Sequence, residues 1–203
     1  MRGIEQIPWL YDGLMAILDR LGLGAWRAEL AARADSPLLE VGCGTGRTLS
    51  RYPTGAGVIG LDPDPRMLLR ARRRAPEVPL VIARAEDLPF RDACFDTVVC
   101  SLVFCSVADV PRGLSEIRRV LKPGGRLCML EHVRPRHPLL SRMSDWLQPA
   151  WTCLAGGCHP NRDTEAAVVR AGFRIDGEGR RCTSVMRMFT ARLPGSGSLP
   201  DRG

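Results

Sequence analysis

The sequence predicts an α/β fold with a mostly parallel sheet of seven strands and helices on both faces. Two observations carry this prediction. Short apolar runs alternate with helical patterns from residue 37 to residue 133, which is typical of a doubly wound sheet. The run at 95–104 is continuously apolar, as expected of a parallel strand that is buried on both faces.

The elements follow one another in the order that such a sheet requires. A helical rhythm at 9–34, interrupted near Gly22 and Gly24, predicts an N-terminal helical cap. Asp64 and Pro65 are typical of a helix start, with Asp64 as the N-cap. The strands are predicted within 38–46, 57–62, 79–90, 95–104, 126–133, 173–176 and 184–192, and the helices after the cap at 64–74, 109–121, 139–155 and 163–171.

The charge balance does not predict nucleic-acid binding, although the formal net charge is +7 and the sequence pI about 9.3. Lys122 is the only lysine, and the arginines are scattered apart from Arg72, Arg73 and Arg74. Those three close a predicted helix, where cations complement the helix dipole. We therefore expect no nucleic-acid partner.

Cysteine spacing and apolar run lengths indicate a cytoplasmic protein. The eight cysteines form no CxxC pair, so we expect buried thiols in a reducing compartment and no metal. No apolar run approaches the roughly 20 residues that span a bilayer, so stable membrane insertion is not expected and peripheral contact stays open. Glu5 and Asp12 interrupt the first apolar stretch, which argues against a secretory signal.

A glycine-rich turn, EVGCGTG at 40–46, follows the first predicted strand. Glycines there allow a tight turn and a close approach to a ligand. The dinucleotide fingerprint GxGxxG needs a second spacing of three, whereas Gly44 and Gly46 are two apart and Arg47 follows. Glu40 would also repel a pyrophosphate, and it suits a ligand with a cationic group.

Acidic residues end the next two strands as well. Asp62 closes the second strand, near the roughly 20-residue offset at which an acid binds a ribose diol. Glu86 and Asp87 follow the third strand and are candidates to accept a hydrogen bond from an adenine amine. Because the carboxyl ends of parallel strands share one edge, we expect these acids around one ligand.

These segments resemble the successive motifs of class I S-adenosylmethionine-dependent methyltransferases, which have a Rossmann-like sheet. The motifs are EVGCGTG, GLDPDPRML, RAEDLPF, FDTVVCSLVF and LKPGG, and they span about 37–133. A narrower resemblance, in VCSLVFCSV, LEHV, QPAW and GGCHPNRDT, is to small-molecule enzymes that include membrane-associated alkyl-thiol S-methyltransferases. The resemblance implies an enzyme with S-adenosyl-L-methionine as cofactor.

The resemblance also implies which residues contact the cofactor. Glu40 would lie near its amino-acid end, Asp62 would hold the ribose hydroxyls, and Ser101 and Leu102 would lie below the methyl sulfonium. Glu40 could instead cap backbone amides, and Asp62 could be only a turn residue. The implied set is Glu40, Gly42, Cys43, Gly44, Asp62, Pro63, Met67, Glu86, Asp87, Leu88, Ser101 and Leu102.

The catalytic candidates are two histidines. His132 ends the fifth predicted strand, and His159 lies in the GGCHPNRDT segment; either could equally be a structural histidine. No histidine–carboxylate pair is evident, which suits a thiol acceptor because thiols ionise easily. An apolar lid over the acceptor is a further expectation, and its candidates are Trp9, Tyr11, Met15, Trp146 and Trp151.

The predicted organisation is a single methyltransferase domain over 1–193. A helical cap at 1–36, a cofactor-binding core at 37–133 and substrate-side elements at 134–193 precede a tail at 194–203 that we expect to be disordered. The expected reaction is methyl transfer to a small lipophilic acceptor, possible classes being a thiol, a lipid amine, a quinone or a natural-product hydroxyl. A non-catalytic cofactor-binding module is the other alternative.

Overall fold

The sheet carries eight strands in a computed structural model that describes residues 7–132, 142, 146, 162–183 and 186–194. The strands are β1 Leu38–Val41, β2 Val58–Asp62, β3 Leu80–Ile82, β4 Phe95–Ser101, β5 Leu121–His132, β6 Arg174–Ile175, β7 Arg181–Cys182 and β8 Met186–Arg192. The α-helices are α1 Pro8–Leu18, α2 Gly24–Ala32, α3 Pro65–Arg74, α4 Val110–Val120 and α5 Thr164–Arg170.

The strand order is β3-β2-β1-β4-β5-β8-β6, with β7 also paired to β8. The first five strands pair in parallel, and β8 runs antiparallel to β5, β6 and β7. The mostly parallel Rossmann-like sheet is therefore confirmed. The sequence does not predict its eighth strand, β7, because both residues of β7 are exposed and no apolar run includes them.

Helices and loops cover both faces of the sheet, as the apolar strands predict. In β4, Val98 and Cys100 belong to one apolar cluster, and Val99 belongs to a second cluster across the sheet. All three side chains are completely buried. A parallel strand in the middle of such a sheet has no solvated face, which explains why its sequence shows no alternation.

Aspartate side chains cap the starts of α3, α4 and α5. Asp64 accepts a hydrogen bond from the Arg66 N–H at 2.9 Å, which confirms the predicted cap of α3. Asp109 and Asp163 cap α4 and α5 in the same way. The end of α4 differs from the prediction, since β5 begins directly at Leu121 and carries the LKPGG segment through an irregularity in its pairing with β4.

The N-terminal cap consists of α1 and α2, joined by a π-helical turn at Asp19–Leu23. Gly22 adopts a φ of 121° there, which a side chain would disfavour, so the interruption predicted near this glycine is confirmed. Within the residues that the structure describes, no helix is long and apolar enough to cross a membrane.

Candidate cofactor and acceptor site

A cavity of about 1000 Å³ opens at the carboxyl ends of the parallel strands. Its walls come from the glycine-rich turn after β1, the ends of β2, β4 and β5, the loops after β3 and β4, and helix α1. The lining includes Tyr11, Met15, Gly42, Gly44, Asp62, Pro63, Met67, Arg84, Glu86, Ser101, Leu102, Val103, Cys105, Ser106, Val107 and His132.

Asp62 is fixed in position by the glycine-rich turn. Its Oδ2 accepts the Gly44 N–H at 2.9 Å, and its Oδ1 accepts the Asp64 N–H at 2.9 Å. Burial raises the pKa of this carboxyl, and the two N–H donors oppose that effect. The carboxylate is thus held at the cavity wall with one backbone donor on each oxygen, and each oxygen keeps capacity for a further donor.

The glycines of the turn serve two different purposes. Gly44 has a φ of +55°, and no protein atom lies within 4 Å of where its Cβ would be. Gly42 also has a positive φ, but its Cβ would lie 2.6 Å from a Val103 methyl group. Gly44 therefore leaves room on the cavity side, whereas Gly42 allows the turn to approach the loop after β4.

Glu40 lies beneath the cavity, and it is not part of the lining. Its side chain is buried, and its Oε2 has no hydrogen-bond partner among the described residues. Burial raises its pKa to about 8, although Tyr52, the Arg27 charge and Thr48 act in the opposite direction. The Glu40 carboxyl under the glycine turn is therefore mostly protonated at neutral pH.

Arg27 is a buried residue of the site that sequence reasoning missed. From α2 it donates to Ser101 Oγ at 2.8 Å and to Thr48 Oγ1 at 3.2 Å, and its Nε pairs with Asp19 at 3.3 Å. Ser101 is the cavity residue at the end of β4. A lone arginine in a helical pattern carries no signal for this role, because its partners lie 8 to 74 residues away in sequence.

Three residues after β3 are predicted to contact the cofactor, and only the first of them, Glu86, lines the cavity. Its Oε1 accepts the N–H groups of Ala108 and Asp109 at 3.1 and 3.3 Å. Asp87 is exposed away from the lining, and Leu88 is buried in the core. The predicted roles of Asp87 and Leu88 as lining residues therefore receive no support from their positions.

Cys43 is also turned away from the cavity. Its side chain is buried in the apolar cluster on the α2 side, where its Sγ lies 3.2 Å from the position that a Cβ of Gly60 would take. Burial raises the pKa of its thiol, so the group remains protonated. Only its backbone can contribute to the turn.

The far end of the cavity is apolar. Leu102 has a φ of 61° and begins a loop after β4 that we call the acceptor wall, residues 102–107. A left-handed leucine costs roughly 1–2 kcal/mol, so the surrounding contacts must hold it there. Since β4 and β5 lie on the other side of β1 from β2 and β3, the wall begins across β1 from Asp62. It ends near Glu86, which accepts the N–H groups of the next two residues, Ala108 and Asp109.

His132 lies at the cavity, at the end of β5. Burial, and then the Arg27 charge, lower its pKa, which keeps the imidazole neutral and able to accept a proton at neutral pH. No described carboxylate hydrogen bonds to it. His159, the other candidate, and Trp151 lie outside the described residues.

Helix α1 closes one side of the cavity. Tyr11 and Met15 line it as expected, whereas Trp9 and Trp146 are 65% and 78% exposed and do not. Asp12 fastens α1 to the glycine turn, where it accepts from Thr45 Oγ1 at 2.7 Å. Three arginines also bond to Asp12, and they are Arg47, Arg70 and Arg74.

The donor set fits S-adenosylmethionine. Asp62 presents an anchored carboxylate of the kind that holds a ribose diol. Gly44 leaves open space beside it on the cavity side. Within the described residues, no three histidine, cysteine or acidic side chains are grouped as metal ligands.

Known proteins share both the motifs and the fold. A family profile described as "Methyltransferase domain" matches residues 39–129. The chain is 38% identical over 150 residues to the thiol S-methyltransferase TMT1A of Homo sapiens, covering 67% of this chain and 59% of that protein. It is 40% identical over 143 residues to a demethylmenaquinone methyltransferase of Tropheryma whipplei (strain Twist), covering 65% and 58%.

A solved structure of geranyl diphosphate methyltransferase in complex with SAM has the same fold, with a TM-score of 0.69 and 18% identity over 89% of this chain and 88% of that chain. The profile and these relatives support a methyltransferase of class I, the class that the motifs predict. Within that class the chain is similar to small-molecule enzymes. It spans about 59% of the length of the curated thiol methyltransferases it matches.

Proposed function

We propose that the protein transfers the methyl group of S-adenosylmethionine to a small lipophilic acceptor, and that the acceptor is a thiol. One observation carries this proposal: a single cavity is lined at one end by the anchored carboxylate of Asp62 and at the other by the largely apolar acceptor wall. A cationic nucleoside fits the first end, and an uncharged apolar molecule fits the second.

The chain's own residues would bind and align the reactants. Asp62 would accept from the ribose hydroxyls, and Glu86 would lie on the adenine side. When bound, the cofactor supplies an electron-poor methyl carbon. Methyl transfer depends mainly on aligning the nucleophile with that carbon and on excluding water, and the acceptor wall and α1 enclose that region.

The reaction balances without a metal or a redox partner. A thiolate sulfur forms a bond to the methyl carbon while the bond from that carbon to the sulfonium breaks. The products are a thioether and S-adenosylhomocysteine, and the thiol proton passes to solvent or to neutral His132. A thiol with a pKa of about 8.5 is already partly ionised at neutral pH, so a weak base is sufficient.

A thiol is favoured because the described lining holds no histidine–carboxylate pair. Hydroxyl acceptors need a strong base, and His132 has no acidic partner among the described residues. Similarity to thiol S-methyltransferases supports the same choice. A quinone acceptor is the second candidate, since a demethylmenaquinone methyltransferase is as similar in sequence; a lipid amine, a natural-product hydroxyl and a non-catalytic module are the remaining alternatives.

A screen with methyl-labelled S-adenosylmethionine tests the proposal. The acceptors are thiophenol and alkyl thiols, phenols, a quinol and a lipid amine, with the Asp62→Ala variant as the cofactor-binding control. We expect a labelled thioether from the wild-type protein alone. Label found only in a phenol, quinol or amine would show that the acceptor is not a thiol. Calorimetric binding of the cofactor with no labelled product would favour the non-catalytic module.

A further inference from the structure

The acceptor wall is held from both sides by charged groups that lie outside the cavity lining. Its backbone N–H groups point toward a carboxylate, and its carbonyl groups point toward a guanidinium. A loop of six residues would ordinarily satisfy these groups with water or with its own turns. Here two side chains from distant parts of the chain take that role.

Glu131 provides the carboxylate. It is completely buried, and its Oε1 accepts the N–H groups of Val103 and Phe104, each at 3.0 Å. The Cys105 N–H also acts on this carboxyl and lowers its pKa, although burial has the larger effect in the other direction. Three successive N–H groups of the wall therefore converge on one side chain.

Arg162 provides the guanidinium. Its Nη1 donates to the Phe104 carbonyl at 2.8 Å and to the Val107 carbonyl at 2.6 Å. The next residue, Asp163, caps helix α5 through the Ala166 N–H at 3.0 Å. The arginine is thus attached to a fixed helix start, which gives Arg162 and Asp163 of the GGCHPNRDT segment a physical role.

The cost of this arrangement indicates that the shape of the wall matters. A buried carboxylate with an unpartnered Oε2 among the described residues is expensive for folding, and Leu102 is held in a left-handed conformation. The wall also contacts the glycine turn, since Val103 fills the space next to Gly42. A shift of the wall would therefore change the cavity.

We propose that Glu131 and Arg162 are positioning residues that hold the acceptor wall in place and thereby set the affinity for the acceptor. Neither side chain lines the cavity, so both act through the backbone of residues 102–107. The proposal rests on the proposed function only in assigning this wall to the acceptor.

Hydrogen exchange of the full-length protein tests the positioning directly. In Glu131→Gln the amide oxygen still accepts hydrogen bonds but loses the charge, so the peptide spanning 102–107 should exchange about tenfold faster than in wild type. Arg162→Met should also speed exchange of this peptide. Glu165→Gln is the matched control, because it breaks ion pairs of α5 with Arg180 and Arg187 and leaves the wall untouched.

Kinetics with thiophenol test the consequence. Glu131→Gln and Arg162→Met should raise the KM for thiophenol about tenfold, and should change kcat and the calorimetric affinity for S-adenosylhomocysteine less than threefold. Wild-type exchange at 102–107 in both variants, or an equal loss of S-adenosylhomocysteine affinity, overturns the proposal. If the wild-type protein methylates no acceptor, the proposed function fails, and the exchange experiment still decides whether the two residues hold the wall.

Discussion

The cofactor half and the acceptor half of the cavity are built in different ways. The cofactor half consists of a backbone turn and of acids that end successive strands, and its key side chain, Asp62, is anchored by the N–H of Gly44. The acceptor half is a strained loop whose shape depends on Glu131 and Arg162, which lie about 30 and 60 residues further along the chain.

This difference explains why one half can be inferred from a motif and the other cannot. A glycine turn and a strand-end acid are local features, and the parallel sheet brings them together automatically. The acceptor half depends on contacts between residues far apart in sequence, and no sequence pattern predicts which residues meet. We therefore expect substitutions in the cofactor half to affect binding of the nucleoside, and those in the acceptor half to affect the second substrate.

The sharpest way to break this comparison is Gly44→Val. The valine would fill open space at the cavity, and we expect S-adenosylhomocysteine affinity to fall more than about 1000-fold, because a bulky side chain would occupy the ligand's position. Gly55→Val is the matched control: Gly55 also has a positive φ and no neighbour within 4 Å of its Cβ position, but it lies outside the cavity. Both variants should lose similar stability, and binding retained by Gly44→Val would mean that the cofactor lies elsewhere.

The next prediction concerns the protonation of the buried Glu40 carboxyl. Its folded-state pKa of about 8 exceeds the ordinary value of 4.5, so the folded chain binds this proton more tightly than the unfolded chain. Glu40 alone should therefore lower the free energy of unfolding by on the order of 4 kcal/mol as pH rises from about 4.5 to about 8. Urea unfolding at several pH values, without added cofactor, measures this decline.

Glu40→Gln should remove most of that decline. Glu131, whose pKa burial raises to about 7, should leave a smaller one of the same sign. Glu165→Gln, which changes an ion-paired carboxylate of α5, should keep the wild-type pH dependence. Parallel pH curves for wild type and Glu40→Gln would show that Glu40 is not protonated in the folded protein.

Substitution of Asp62 should have a smaller effect on binding than Gly44→Val. It tests whether Asp62 binds the cofactor. Asp62→Ala should weaken S-adenosylhomocysteine binding by roughly 3 kcal/mol, about 100-fold, through loss of a charged acceptor. Asp62→Asn should also weaken binding, because its NH2 group would replace an oxygen that accepts the N–H of Gly44 or Asp64. Asp109→Ala removes a helix cap outside the lining, so it should lower stability by about 1 kcal/mol and leave the affinity in a calorimeter unchanged.

The described part of the fold could be predicted almost completely from the sequence, because alternating apolar runs and strand-end glycines are strong local signals. The helix predicted at 139–155 and the tail predicted at 194–203 lie almost entirely outside the described residues. The predicted strands and caps match the described elements, and the differences are short. β7 is a two-residue strand, and β5 begins earlier than expected because its irregular pairing absorbs the LKPGG segment.

The site could be predicted only in part. Gly44, Asp62, Glu86 and Ser101 line the cavity as expected, since the strand order itself brings them together. Cys43 and Leu88 lie in the core, because the direction of a side chain in a turn or loop depends on backbone angles that periodicity does not give. Arg27, Glu131 and Arg162 are not predicted, because each contributes to the site through a hydrogen-bond partner that lies far away in sequence.

The central claim is that the protein aligns its reactants and excludes water, and that no side chain is indispensable for proton transfer. A pH–rate profile of wild type, His132→Ala and His159→Ala with thiophenol tests it most directly. We expect each variant to lose at most about 100-fold in rate, most strongly below neutral pH, with much of the loss recovered as rising pH supplies thiolate. A loss of about 1000-fold or more that persists at high pH would contradict the claim and would assign that histidine an essential catalytic role.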